Sequence, residues 1–225
     1  IAERVPSLVR EIQQRGHELA CHGYGHQLIF SIGPQKFRED VSKARIILED
    51  ICGDRVIGYR APSYSITNKS LWALDILVEE GFKYDSSIFP VLHDTYGIPD
   101  AERFPHTIMT EAGPLVEFPL TTLPFHIGWK KMCLPIAGGG YLRLLPVGII
   151  SRGIAAINQR EHQPAVLYFH PWEIDPDQPR IKAGIKSRFR HYLNLDKTEG
   201  KLRKLLSELQ FGTMSSVLNL HLFED

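Results

Sequence analysis

The chain has 225 residues, of which 43% are hydrophobic and 23% charged, a composition that fits one large α/β domain. Its 26 basic and 26 acidic residues cancel, which argues against a nucleic-acid partner because nucleic-acid-binding domains usually carry a basic excess. No apolar run approaches the roughly 18 residues of a membrane span, so no membrane partner is expected.

The chain opens with a predicted helix, which a short strand follows. Residues 4–16 (RVPSLVREIQQRG) place apolar side chains at helical spacing, with Pro6 in the first turn and Gly16 at the stop. Residues 17–22 (HELACH) are predicted as the strand. The chain starts without an initiator Met or an apolar signal core, and a helix in this kind of fold follows a strand. We therefore expect a preceding strand upstream of Ile1.

The same alternation continues along the chain. Further helices are predicted at residues 36–53, 68–81, 146–160 and 197–210, the second of them capped by Thr67. Further strands are predicted at residues 55–60, 82–87, 115–120 and 165–170. This pattern predicts parallel strands joined by crossovers, and the element count fits a closed or nearly closed β/α barrel. We predict a single domain, 1–225, in which residues 174–225 form a C-terminal extension packed on the barrel.

The cysteines bear on the compartment. Cys21, Cys52 and Cys133 are odd in number and form no C-x-x-C pair, which argues against a disulfide framework. A reducing compartment is favoured, so cytoplasmic localisation is expected, with the periplasm as the alternative. We interpret Cys21 as a small buried residue, because adjacent side chains of a strand point to opposite faces.

Four predicted strands end in a residue able to do chemistry. These residues are His22, Arg60, Asp85 and His170. In parallel α/β folds the C-terminal ends of the strands share one edge, and that edge carries the site. Each residue alone has an ordinary explanation, such as a surface salt bridge for Arg60 or a structural role for His170. The four together predict an active site.

The segment HGYGH, residues 22–26, places two histidines four positions apart with two glycines between them. Neutral imidazole is a good zinc ligand, and a tight turn would let His22 and His26 converge on one ion. Gly23 and Gly25 argue against a helix here and suit a backbone that passes close to another group. Two histidines rarely complete a zinc site, so a pair of polar loop residues is the alternative.

The order His22-x-x-x-His26, Arg60-x-Pro62, Asp85 and His170 resembles the polysaccharide deacetylases, the carbohydrate esterases that include chitin and peptidoglycan deacetylases. The segments HGYGH, GYRAPSYSIT, YDSSIFP and YFHPWEIDP are similar to the bacterial branch that is linked to exopolysaccharide gene clusters.

The resemblance implies a distorted β/α barrel and a role for each residue. It implies that His22 and His26 bind Zn²⁺ or another divalent metal, and that Arg60 pairs with the catalytic base. It implies that the Ser63 N–H stabilises an oxyanion and that His170 is the catalytic acid, with Asp85 as its carboxylate partner.

Three features depart from the family pattern. Tyr168 stands where the family's Leu-x-His motif has leucine, and Ser63 stands where many relatives have an aromatic residue. The family's first motif, a strand ending in paired aspartates, has no counterpart here. That motif supplies a third metal ligand and the base, so we expect both to lie outside these residues, and the chain alone to be weakly active or inactive.

The predicted function is metal-dependent removal of N-acetyl groups from N-acetylglucosamine-type units of a polysaccharide, with release of acetate. The expected partner is a polysaccharide or oligosaccharide substrate, with Tyr64, Tyr141 and Trp172 as candidates for stacking on sugar rings, and self-association into a homo-oligomer stays open. A small-molecule amide hydrolase of related fold and a non-catalytic glycan- or metal-binding module are the alternatives.

Overall fold

The computed structural model describes residues 1–93, 96–128, 130–182, 184, 188 and 191–220. The helices in chain order are α1 (Pro6–Gln14), α2 (Ile29–Cys52), α3 (Trp72–Glu79), α4 (Gly139–Leu144), α5 (Val147–Ala156), α6 (Leu195–Glu208) and α7 (Met214–Val217). The strands are β1 (Gly58–Tyr59), β2 (Tyr84–Asp85), β3 (His106–Thr110), β4 (Gly113–Glu117), β5 (Thr122–Ile127) and β6 (Lys130–Pro135). None of the helices in these ranges is long and apolar enough to cross a membrane.

Residue contacts divide the chain into two compact units. The first unit comprises residues 1–119 and 212–225, and the second comprises residues 120–211. The mixed α/β class predicted from the sequence is confirmed, whereas the assignment of one domain to residues 1–225 stays a prediction.

The first unit is built around a four-stranded sheet in the order β1-β2-β4-β3. β1, β2 and β4 are parallel, and β3 runs antiparallel to β4. Cys21 adds a single parallel bridge to Tyr59 at the free edge of β1. Parallel pairing brings the ends of these short strands to one edge, so the segments that begin at His22, Arg60, Ser86 and Phe118 all leave the sheet there.

The core of the first unit lies between this sheet and helices α2 and α3. Phe37 and Val41 of α2, Leu77 of α3 and Leu115 of β4 are fully buried, as their helical and alternating spacings require. α2 begins at Ile29, earlier than the predicted residue 36, and bends where Gly33 has φ 76° ahead of Pro34. α3 begins at Trp72 rather than after Thr67, whose hydroxyl accepts a bond from the N–H of Lys69 instead.

The second unit contains the β5–β6 hairpin and helices α4, α5 and α6. The predicted strand at residues 165–170 reduces to one bridge between Tyr168 and Gly138. A Cβ on Gly138 would lie 2.1 Å from the Tyr168 ring, so glycine is needed for this close approach. Leu195, Leu202 and Leu205 of α6 are buried, which confirms the helical periodicity seen near the C-terminus.

Candidate active site

The two histidines of HGYGH lie next to each other at the edge of the sheet. Cys21 pairs with Tyr59, and the chain turns away from the sheet at His22. The ring centroids of His22 and His26 are 5.1 Å apart, with the ring planes at 72°. His26 has a positive φ of 51°, which closes the turn and brings the second ring back to the first.

The backbone carbonyl of Arg60 sets the tautomer of His22. Its Nδ1 lies 2.6 Å from the backbone oxygen of Arg60. A carbonyl oxygen can only accept, so Nδ1 carries the hydrogen and the lone pair of the neutral ring is on Nε2. A backbone carbonyl on the second ring nitrogen is a common way of orienting a metal-binding histidine.

Asp40 of α2 explains the two glycines. Its Oδ2 accepts a hydrogen bond from the N–H of Tyr24 at 2.8 Å, and its Oδ1 accepts one from the N–H of Gly25 at 2.7 Å. A Cβ on Gly23 would lie 2.8 Å from Oδ2, and a Cβ on Gly25 would lie 3.0 Å from Oδ1. The glycines therefore let a carboxylate approach the backbone between the two histidines.

The ligand atoms that the histidine pair offers are of the type that divalent metals such as zinc bind. Two adjacent imidazoles, one of them with its tautomer set by a carbonyl, are donors that zinc prefers. Within the described residues, no group of three or more His, Cys, Asp or Glu side chains is placed to hold a metal ion. Burial raises the pKa of the Cys21 thiol to about 12, and the interpretation of Cys21 as a buried residue is confirmed. His22 and His26 thus account for two ligands of such a site.

A cavity of about 590 Å³ borders the two histidines. Its lining includes Glu3, Arg4 and Tyr24 besides His22 and His26. The Tyr24 hydroxyl donates to Glu3 at 3.0 Å, and the ammonium of Lys43 lies 3.7 Å from the centroid of the Tyr24 ring. The volume is within the usual range of small-ligand sites, roughly 300–1,000 Å³.

Arg60 follows β1 and is held by the turn that follows β2. Its Nε donates to the Ser86 carbonyl at 2.9 Å, and its Nη2 donates to the Ser86 hydroxyl at 2.7 Å. Its backbone carbonyl orients His22. Arg60 therefore links two strand ends, and its pairing with a catalytic base stays a prediction.

The turn after Arg60 has an unusual backbone. Ser63 and Tyr64 have φ values of 52° and 53°, both in the left-handed region. The Tyr64 N–H donates to the Ala61 carbonyl at 3.1 Å. The exposed Ser63 N–H makes no hydrogen bond within the described part of the chain. This geometry keeps Ser63 available as an oxyanion donor.

His170 belongs to the second unit and is held by Glu173. Its Nδ1 lies 2.6 Å from Glu173 Oε1, which also accepts a bond from the His170 N–H at 3.3 Å. Glu173 Oε2 accepts a hydrogen bond from Nε of the buried Arg143 at 3.2 Å. Glu173 is fully buried, while 53% of the His170 side chain is exposed. This arrangement directs one ring nitrogen to a buried carboxylate and leaves the ring accessible.

The carboxylate at His170 Nδ1 is Glu173 and not Asp85, which corrects the partner expected from the resemblance. Asp85 lies in the first unit, where its carboxyl group is fully buried, accepts a hydrogen bond from Ser87 and lies beside Glu117 in the strand register. The relative placement of His170 and the two histidines stays a prediction, as do the catalytic roles of all these residues.

Two of the three sugar-stacking candidates, Trp172 and Tyr64, contact other rings of the protein, whereas Tyr141 stays a candidate. The Trp172 ring stacks on His170 at 5.6 Å and on His191 at 4.1 Å between centroids, and the Arg143 guanidinium lies over it. The half-buried Tyr64 ring contacts Phe89 and Tyr96 edge to face. Trp172 therefore supports His170 rather than offering a ring face for a sugar.

Three residues of the site escaped sequence reasoning. Asp40, Glu117 and Glu173 are acidic residues that periodicity alone assigns to a helix surface, a strand and a loop. Glu173 had a local signal, because an acidic side chain three positions after a histidine that precedes a proline can turn back to cap that histidine. The other two act across the fold and have no local signal.

Comparisons with known proteins identify the family of the chain. Residues 86–219 match the family model described as a domain of unknown function (DUF3473), and residues 1–82 match the polysaccharide deacetylase domain. The chain belongs to the DUF3473 family, and its N-terminal part is similar to the polysaccharide deacetylase domain. The resemblance to polysaccharide deacetylases is confirmed, and the link to exopolysaccharide gene clusters stays a prediction.

Individual relatives point the same way. The chain is 33% identical over 86 residues to a peptidoglycan deacetylase-like protein of Gibberella zeae, covering 38% of this chain and 25% of the relative. It is 29% identical over 80 residues to a peptidoglycan deacetylase of Helicobacter pylori, covering 36% of this chain and 26% of that protein. Each match thus spans about a quarter of the relative.

The fold has a close counterpart among solved structures. A structure described as a polysaccharide deacetylase from Mycobacterium smegmatis superposes with a TM-score of 0.61 at 21% identity, covering 97% of this chain and 68% of that one. At this identity the likeness bears on the fold alone, and it confirms the predicted fold type.

Proposed function

We propose that the protein is a metal-dependent deacetylase that hydrolyses the N-acetyl groups of N-acetylglucosamine-type units in a polysaccharide and releases acetate. The observation that carries the proposal is the pair His22 and His26, with the tautomer of His22 set by Arg60 and the Ser63 N–H without a partner among the described residues. The family match and the relatives named above support the same chemistry.

In this proposal His22 and His26 hold the metal together with ligands that the described residues do not identify. A bound divalent metal would polarise the acetamide carbonyl and lower the pKa of a water molecule. The Ser63 N–H donates to the oxygen that becomes negative when the carbonyl is attacked, and losing one such donor typically costs on the order of 10²–10³ in rate.

His170 acts as the general acid in the same proposal. Glu173 accepts from Nδ1, so the other ring nitrogen is the one that gives a proton to the departing amine. The positive charge that forms when the ring takes up its second proton faces the buried carboxylate. Arg143 and Trp172 fix the carboxylate and the ring in place.

Acetate release from N-acetylated glucosamine oligomers by the zinc-loaded intact gene product tests the proposal. His22→Ala is expected to lose both bound zinc and activity, whereas His170→Ala is expected to keep zinc and lose about 10²–10⁴ in kcat. The matched controls are His17→Ala and His162→Asn, both at exposed positions, the second with φ 52° that asparagine tolerates.

Three results would contradict the proposal or one of its assigned roles. Zinc binding without acetate release from any N-acetylated polymer would favour a binding module. Hydrolysis of small amides in preference to an oligomer or an exopolysaccharide would favour the small-molecule alternative. Loss of zinc from His170→Ala would make this residue a ligand and remove its role as the acid.

A further inference from the structure

Two buried carboxyl groups lie side by side at the ends of adjacent strands. Asp85 ends β2 and Glu117 ends β4, and the two residues are direct partners in the parallel register. Both are fully buried, and their side chains lie close enough for each to influence the ionisation of the other. The reaction proposed above uses neither group.

Each carboxyl group has one oxygen with a donor and one without. Asp85 Oδ1 accepts from the Ser87 hydroxyl at 2.5 Å, and Glu117 Oε1 accepts from the Ile88 N–H at 3.0 Å. Asp85 Oδ2 and Glu117 Oε2 are buried and have no hydrogen-bond donor in the described part of the chain. Two ionised carboxylates in this position would repel each other and leave buried acceptors unsatisfied.

The nearby positive charge balances only one negative charge. The Arg60 guanidinium is close enough to favour ionisation of both carboxyl groups, but its Nε and Nη2 hydrogen bonds go to Ser86. Burial, and for Glu117 also the charge of Asp85, raises the pKa of each carboxyl group. One proton between the two oxygens supplies the missing donor and leaves a single negative charge opposite Arg60.

We propose that Asp85 and Glu117 share one proton at neutral pH, and that the resulting carboxylic acid–carboxylate pair positions the turn of residues 86–88 against Arg60 and Ala61. The bonds run outward from the pair. Ser87 donates to Asp85 and accepts from the Ala61 N–H at 2.7 Å, and Ser86 accepts from Arg60 and donates to the Phe118 carbonyl at 2.7 Å. Glu117 is thus a positioning residue for Arg60 and for the turn that carries Ser63.

The consequence for catalysis rests on the proposed function, whereas the shared proton does not. Substituting glutamine at residue 117 keeps a donor for Asp85 and an acceptor for Ile88, while alanine keeps neither. We therefore expect Glu117→Gln to retain kcat within about threefold and Glu117→Ala to lose on the order of 10²-fold, the cost of a small misplacement at an active site.

The pair also predicts a pH dependence of stability. The titratable and charged groups around it are Arg60, Tyr59, Tyr84 and, opposite Glu117 on β3, His106. Because the pKa of Glu117 is raised in the folded chain, the folded chain keeps this proton at pH values above the ordinary pKa of a glutamate, where the unfolded chain has released it. Its contribution to stability is therefore complete in acid and is lost as the pH rises through the folded-state pKa. Glu117→Gln has no such loss.

The test combines infrared spectroscopy with urea denaturation of the intact gene product. We expect wild-type protein at pH 7 to show a carboxylic acid C=O band that shifts in D₂O and is absent from Glu117→Gln. We also expect the urea midpoint of wild type to fall relative to that of Glu117→Gln as the pH is raised from 5 to 9. Glu18→Gln, which alters a half-buried carboxyl group of the same unit bonded to Tyr84 and Ser215, should keep the band.

Absence of this band from wild-type protein at pH 7 would contradict the shared proton. This measurement needs only wild-type protein, so it holds even if the Glu117 variants fail to fold. Equal loss of kcat in Glu117→Gln and Glu117→Ala would overturn the positioning role. If the protein releases no acetate, the proposed function fails, while the infrared and denaturation results still decide on the pair.

Discussion

His170 has its carboxylate partner three residues away rather than across the sheet. Pro171 starts a single turn of 3₁₀-helix, which brings Glu173 back to both the Nδ1 and the backbone N–H of His170. Burial of Glu173 beside Arg143 makes this contact rigid, because a buried carboxylate needs all its hydrogen bonds. The imidazole therefore has a set orientation before any substrate binds.

We expect Glu173→Ala to change the tautomer of His170. Glu173 accepts the hydrogen of Nδ1, and without it the ring loses the bond that keeps the hydrogen there. Long-range ¹H–¹⁵N NMR spectra of the imidazole should show the Nδ1–H form in wild type and a mixture in the variant, with kcat lowered on the order of 10²-fold. An unchanged tautomer in Glu173→Ala would contradict the positioning role, and Glu208→Ala, at an exposed residue of the same unit, is the control.

Helix α2 gives the histidine turn its shape. Asp40 lies in the middle of the helix, and its carboxylate accepts two backbone N–H groups from residues 24 and 25. Such bonds to a charged acceptor contribute about 1.5–3 kcal/mol each. The turn between the two candidate ligands is thus fixed from the side by a helix and not by its own sequence.

We expect Asp40→Ala to lower the free energy of unfolding by about 3 kcal/mol and to weaken zinc binding. Asp40→Asn, which keeps one acceptor oxygen, should lose less of both. Urea denaturation and zinc titration measure the two effects. Asp75→Ala is the matched control, because Asp75 also accepts two backbone N–H groups, from Glu111 and Ala112, far from the histidines in sequence. If both variants lost zinc affinity equally, Asp40 would have only a general structural role.

The helices and strands were easier to predict from the sequence than the contacts between them. The long amphipathic helices α2 and α6 follow from apolar spacing, whereas β1 and β2 have two residues each and can be told from loops only by their neighbours. No element is predicted from the sequence between residues 88 and 114, where the antiparallel strand β3 lies. Arg60 and Asp85 were found because they end buried strands, but their contacts with Ser86 and Glu117 depend on strand order, which periodicity does not encode.

Metal binding should be visible in the stability of the chain. A ligand that binds only the folded state adds about 2.7 kcal/mol at a concentration of 100 times its Kd, which corresponds to a rise in Tm of about 5–10 °C for a protein of this size. We expect zinc to raise the Tm of wild type and of His17→Ala, and chelation to reverse the rise. Differential scanning calorimetry should show no rise for His22→Ala or His26→Ala. A rise that persists in both variants would place the metal elsewhere.

The contact between Asp40 and the histidine turn also implies that α2 forms before the turn during folding. The glycines on either side of Tyr24 leave the turn without a preferred conformation until a carboxylate approaches. That carboxylate arrives only when α2 has formed and docked on the sheet through Phe37 and Val41. A refolding chain should therefore bind a metal ion only after α2 has formed. The absorbance of bound Co²⁺ during refolding would then report the rate at which this one helix docks on the sheet.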